Sequence, residues 1–276
     1  NLEAIVYRYD LTADLGAATI PAAPTVVPET VLRFALDYEK GSVWTRTNDR
    51  CLDESNWHPW RDDVPPSSLS GRREKCWPIP ILADIDFSDE GNMLLAFMDR
   101  STHQWGWLNY SIDRSDSRLY SNMSGGDLLM ACLDGNGDFI LENNGACGNL
   151  ASANPTNRNE GPGGREFFYG DSWPHESSNG HLETANNGIA VLPGSNEVIA
   201  AGMDPYGNAY YSAGGINWYS TTDGRPRTPG YMLYASQGSN SPVDIIGTAG
   251  KSGGLGDVDL ICPQLPITIG DYVWLD

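Results

Sequence analysis

The chain has 276 residues and a formal net charge of −19, with 17 Lys and Arg set against 36 Asp and Glu. That balance leaves no clustered positive charge for a nucleic-acid backbone or an anionic membrane, and no run approaches the roughly 18 apolar residues of a membrane helix. A hydrophobic content of 40%, with 31 Gly, 18 Pro, nine Trp and 13 Tyr, describes a cored, turn-rich protein biased towards strands.

Residues 3–11 (EAIVYRYDL) alternate in polarity. This predicts a strand with Ile5, Tyr7, Tyr9 and Leu11 on one face and Arg8 and Asp10 on the other. Residues 15–28 (LGAATIPAAPTVVP) are interrupted by prolines and read as an extended connection. Residues 31–46 read as a hairpin: Phe34, Leu36 and Tyr38 alternate, Lys40-Gly41 turns, and Val43-Trp44-Thr45 returns. Residues 49–77 are irregular.

An internal duplication follows. Residues 83–100 (ADIDFSDEGNMLLAFMDR) and 188–205 (GIAVLPGSNEVIAAGMDP) each give strand, turn and strand, and each closes on Met-Asp, at Met98-Asp99 and Met203-Asp204. A double glycine then introduces a third strand in each, after Gly125-Gly126 and after Gly214-Gly215, and fourth strands are expected at 138–142 and 230–235. A partial third copy begins at Gly253-Gly254 with LGDVDLIC. The predicted fold class is all-β. It consists of β-propeller-like, repeated four-stranded antiparallel units about 105 residues apart, with long loop insertions and an incomplete ring. The spacing exceeds the usual roughly 40–50 residues of a blade because of an Asn-, Gly- and Ser-rich insertion at 143–187. Cys147 and Phe167-Phe168-Tyr169 are expected to pin that insertion.

Several groups invite chemical readings. Asp134, Asn136 and Asp138 have the alternating oxygens of a calcium loop, but Phe139 stands where an EF-hand needs Gly, and Asn136-Gly137 is equally a hairpin turn. Asp84 and Asp86, matched by Asp257 and Asp259, sit at the start of inner strands. They would either hold a cation between them or bond backbone amides. Calcium is the one cofactor these patterns allow, and no catalytic residue is assigned. His175 and His181 lack the spacing of a helical zinc motif. Gly170-Asp171-Ser172 lacks the strand–helix context of an esterase elbow. Thr221-Thr222-Asp223-Gly224 only brushes the sialidase Asp-box pattern. With 36 acidic residues, a carboxylate pair for glycoside hydrolysis is an open alternative. Trp57, Trp60, Trp105, Trp107 and Trp173 lie in or near loops, where they would stack on sugar rings as a lectin-like surface or pack between units. Asn109 and Asn122 begin glycosylation sequons by pattern.

The C-terminal string IGDYVWLD (residues 269–276) resembles the opening strand of the SdrD B-like domains of serine-aspartate-repeat surface proteins, which are immunoglobulin-like stalk modules of bacteria. The blocks PILADIDFSDEGNMLLAFMDRSTHQWGWLNY, SGGDLLMAC, ENNGACG, GPGGREFFYGDSWPHE and GLGDVDLIC resemble the propeller-type region that precedes such domains. The resemblance implies a propeller-like domain at 1–266, truncated at its N-terminus, and the first strand of a B-like domain at 267–276. It also implies an extracellular, non-enzymatic structural or adhesive module. In an exported chain the neighbouring cysteines suggest Cys51–Cys76 and Cys132–Cys147, with Cys262 left over. Asp271, Tyr272, Val273, Trp274 and Leu275 would then form an assembly strand, adding to other copies of the chain or to other segments of the same surface protein in a filament or sheath. Glycans are the other expected partner.

Overall fold

The computed structural model describes residues 2–9, 27–41, 56–64, 74–75, 77–105, 109–122, 125–154, 160–170, 185–203, 205, 213–236, 246–247 and 256–261. In chain order the elements are β1 (Glu3–Arg8), β2 (Glu29–Ala35), β3 (Glu74–Lys75), β4 (Pro80–Phe87), β5 (Met93–Asp99), α1 (Arg100–Trp105), β6 (Asn109–Tyr110) and β7 (Leu119–Asn122). There follow β8 (Asp127–Leu133), β9 (Phe139–Leu141), β10 (Ala146–Cys147), β11 (Leu150–Ala151), β12 (Ala185–Leu192), β13 (Glu197–Met203), β14 (Ala213–Ser220), β15 (Pro226–Ser236) and β16 (Ile246–Gly247). The protein is all-β apart from α1 and a 3-10 turn at Pro162–Gly164.

The described strands form several small sheets. The four-stranded antiparallel unit is present twice, as β4-β5-β8-β9 and as β12-β13-β14-β15, with β16 added in parallel to β15. The remaining sheets are β1-β2, β10-β11 and β3-β7-β6, in which β3 runs parallel to β7.

The first unit lies between two other layers. Leu95 and Phe97 on β5, with Leu129 and Ala131 on β8, pack against Ala4, Val6, Leu32, Leu36 and Trp57. The alternate residues of the same strands, Leu94, Ala96, Leu128 and Met130, pack against Ile189, Val198, Ala200 and Tyr219 of the second unit. Being covered on both faces explains why β5 (MLLAFMD) and β8 (DLLMACL) are near-continuous apolar runs and not alternating ones.

The expected β1 forms over Glu3–Arg8. Ala4 and Val6 are buried, while Tyr7 and Tyr9 are about half exposed. A strand's alternation names two faces and does not say which one is covered, and here the smaller side chains meet the first unit. β2 pairs antiparallel with β1, which uses one of its two edges. Residues 43–45 lie outside the described residues, as does the expected domain boundary at 266/267.

The insertion after β9 is pinned as expected. Phe167 and Phe168 are fully buried against Tyr219 and the Cys132–Cys147 pair. The Glu142 carboxylate, itself buried, accepts the Met130 N–H at 2.9 Å and the Phe167 N–H at 2.5 Å, so one side chain ties β8 to the insertion. A Cβ on Gly224 would lie 1.7 Å from the Phe167 carbonyl oxygen, so this turn can approach the insertion only as glycine.

Candidate functional site

The two repeats meet along a row of carboxylates. Asp84 Oδ1 accepts the N–H of its own neighbour Ile85 at 2.8 Å, and Oδ2 accepts the N–H of Ile189 on β12 at 2.9 Å. Asp86 repeats the pattern, with Phe87 N–H at 2.7 Å and Val191 N–H at 2.7 Å. One turn further on, Asp89 accepts Gly194 N–H at 2.9 Å and Asn196 N–H at 3.3 Å. The bonds to Ile189, Val191 and Gly194 each span 105 residues, so every one joins equivalent positions of the duplicated unit.

The backbone dictates this geometry. β12 pairs with β13 on one edge only, and the N–H groups of Ile189 and Val191 point away from that partner. An edge amide left buried without an acceptor is costly. The Asp-Ile-Asp spacing puts two carboxylates on the same side of β4 at the two-residue period of those amides. Each carboxylate caps its own strand's edge with one oxygen and the neighbour's with the other. Of the two expected partners for Asp84 and Asp86, a cation and backbone amides, the amides lie within hydrogen-bond distance.

The third copy shows the same local form. Asp257 Oδ1 accepts Val258 N–H at 2.8 Å and Asp259 Oδ1 accepts Leu260 N–H at 2.7 Å. The segment touches the second unit through Gly188, whose N–H donates to the Gly256 carbonyl at 3.0 Å. A Cβ on Gly188 would lie 2.6 Å from the Asp257 Cα, so glycine permits the approach.

The 134–138 loop is a hairpin turn. Asp134 Oδ1 accepts the N–H groups of Asn136 at 2.8 Å and Asp138 at 2.9 Å, and these donors hold its carboxyl below the usual range. Among the described residues no three His, Cys, Asp or Glu side chains lie close enough together to hold a metal ion. Asp134 accepts the amides of its own turn, and Asp84, Asp86, Asp257 and Asp259 accept backbone amides.

Two buried carboxylates escape a reading of motifs. Asp99 lies at the start of α1 and accepts the N–H groups of Ile79 and Ser101, both at 2.8 Å, as well as the Ser101 and Thr102 hydroxyls. It is the N-cap of the helix. Asp127 accepts the Tyr38 hydroxyl at 2.6 Å, and Tyr38 in turn accepts the Trp57 indole N–H at 3.3 Å. Burial pushes both carboxyls up to about 6, against the bonds they accept and the nearby Lys40 ammonium. Burial, reinforced by Asp127, raises the Tyr38 hydroxyl well above its ordinary value. Lys40 is fully buried, with its ammonium 5.1 Å from the Trp57 ring centre. The sequence signals for these residues were the repeated Met-Asp pair and the aspartate following Gly125-Gly126.

The tryptophans divide. Trp57 and Trp105 are buried in packing roles, whereas Trp60 is 60% exposed with the Arg100 guanidinium 3.2 Å over its ring. His58 stacks on Trp77 at 3.8 Å. Trp107 and Trp173 lie outside the described residues, as do His175, His181, Asp171 and Ser172. Of the sequon asparagines, Asn122 is buried and closed to a glycan in the folded state, while the Asn109 side chain donates to the Trp105 carbonyl at 2.5 Å.

Cys132 and Cys147 form a disulfide with Cα atoms 5.6 Å apart, as expected. Cys51, Cys76 and Cys262 lie outside the described residues, and so does the expected assembly strand Asp271, Tyr272, Val273, Trp274 and Leu275. Among the described residues no helix is long and apolar enough to cross a membrane.

No family model and no solved structure matches the chain. It is similar to Colossin-B of Dictyostelium discoideum, 32% identical over 285 residues that take in 97% of this chain and 6% of that protein. Colossin-C of the same organism is 29% identical over 257 residues, covering 90% of this chain and 22% of its own length. Colossin-A is 27% identical over 283 residues, covering 98% and 2% respectively. The chain thus spans 22% or less of the length of these curated relatives.

Proposed function

We propose that the chain is a non-enzymatic structural or adhesive module of a secreted surface protein, built from propeller-like units set side by side. The observation that carries this reading is the use of the inner-strand carboxylates. Asp84, Asp86 and Asp89 are spent on backbone amides of the next unit and act as mortar between repeats. Among the described residues, the carboxyls with raised pKa, Asp99 and Asp127, are buried in the core, which supports the non-enzymatic reading. Similarity to short stretches of much longer proteins supports a module within a larger chain. The disulfide supports an oxidising compartment. A bacterial source, to which the sequence resemblance points, and the Dictyostelium source of the relatives are both compatible with a surface module.

Immunolabelling of intact, unpermeabilised source cells tests the proposal. Labelling at the surface, or recovery of the protein from the medium, is expected, and a signal confined to permeabilised cells overturns it. A second reading, glycan binding, is favoured by one observation: Trp60 presents an exposed ring backed by Arg100, a stacking platform for a sugar. Loss of a glycan-array signal in Trp60→Ala would support that reading.

A further inference from the structure

We infer that Asp257 and Asp259 are an open acceptor pair for the inner-strand edge of a further repeat unit, two backbone N–H groups two residues apart flanked by apolar side chains. The chain contains a filled copy of this arrangement. In Asp84-Ile85-Asp86 the Oδ1 atoms are held by the next amides at 2.8 and 2.7 Å, and in Asp257-Val258-Asp259 by the equivalent amides at 2.8 and 2.7 Å. In the first pair the Oδ2 atoms receive Ile189 and Val191. In the third copy no described residue donates to either Oδ2.

The surroundings differ in the way an unfilled site requires. Asp84 and Asp86 are half-buried beneath the second unit, whereas Asp257 and Asp259 are exposed and Ile261 beside them is fully exposed. The second unit already occupies one flank of the segment through Gly188. The amides of Val258 and Leu260 are capped by their own aspartates, so beside the two Oδ2 acceptors these two amides are not on offer. Its complement is therefore a strand edge that presents amides without an Asp-x-Asp of its own. In this chain that chemistry belongs to Ile189-Ala190-Val191, the inner strand of a repeat unit, and a further unit of this kind is the occupant we assign. The inference rests on these hydrogen bonds and needs neither the extracellular nor the adhesive reading.

A capped peptide of the sequence of residues 186–194 (NNGIAVLPG), titrated into the isotope-labelled full chain to about 2 mM, tests it by amide chemical shifts. Saturable shifts centred on Val258 and Leu260 are expected. Binding should weaken about tenfold or more in Asp257→Ala/Asp259→Ala, and equally for a peptide with ester linkages replacing the two N–H groups of Ile189 and Val191. The melting temperature of the variant should match the parent, since no described residue outside the segment donates to either carboxylate. Any of three results overturns the assignment: no shift by the end of the titration, undiminished binding by the variant or the ester peptide, or shifts centred on Ile85 and Phe87.

Discussion

Replacing Asp84 by alanine isolates one rung of the contact between the repeats. The substitution removes the acceptors of Ile85 N–H at 2.8 Å and Ile189 N–H at 2.9 Å. A hydrogen bond to a charged acceptor contributes about 1.5–3 kcal/mol, and a buried orphan donor costs about 1–3 kcal/mol. Asp84 is half-buried, so water recovers part of the loss on its own strand, but Ile189 is buried and its amide has no other acceptor among the described residues. The expected destabilisation is about 2 kcal/mol in urea unfolding, read as a lower midpoint with an unchanged slope. Two kcal/mol corresponds to about a 30-fold change in an equilibrium, so hydrogen exchange at Ile189 should accelerate by about that factor through local opening. Val191 keeps Asp86 at 2.7 Å and should change least among the β12 edge amides. Asp84→Asn, which offers one acceptor oxygen in place of two, should fall between the parent and the alanine variant. Unchanged exchange at Ile189, or an unfolding midpoint equal to that of the parent, would refute the claim that these carboxylates join the units.

Three further outcomes are expected. Asp127 has a folded pKa of about 6 against an ordinary value of 3.8, so the native state binds more protons than the unfolded state between about pH 4 and 6. The parent should therefore lose stability as pH rises through that window and level off above it. Asp127→Asn should flatten the slope by on the order of 2 kcal/mol, measured by urea unfolding at a series of pH values. Reducing Cys132–Cys147, which closes a separation of 15 residues, should cost about 3 kcal/mol in the same assay, and Cys132→Ser/Cys147→Ser should reproduce the loss. Glu142→Ala orphans the Met130 and Phe167 amides and should cost about 3 kcal/mol. Limited proteolysis should then show faster cleavage within the insertion than in the two four-stranded units.

The all-β class and the duplicated four-stranded unit were legible in the amino-acid sequence, and the Asn136-Gly137 turn and the Cys132–Cys147 pair were among its open readings. Each of these depends on residues within one strand or between near neighbours. A two-residue period, a turn dipeptide or a short cysteine spacing acts over a few ångströms of chain, and a one-dimensional pattern records it. Tertiary structure decided what lay across longer separations. It put Ala4 and Val6 inside in place of Tyr7, because the covered face of β1 depends on which sheet lies beside it. It paired β2 with β1 across a connection with no turn signature. It buried Asp99, Asp127 and Lys40 together, although any one of them reads in sequence as an ordinary surface charge. Above all, it gave Asp84 and Asp86 their partners 105 residues away. A carboxylate can meet a cation or an amide, and it is the packing of the two units that brings the β12 amides within hydrogen-bond distance of Asp84 and Asp86.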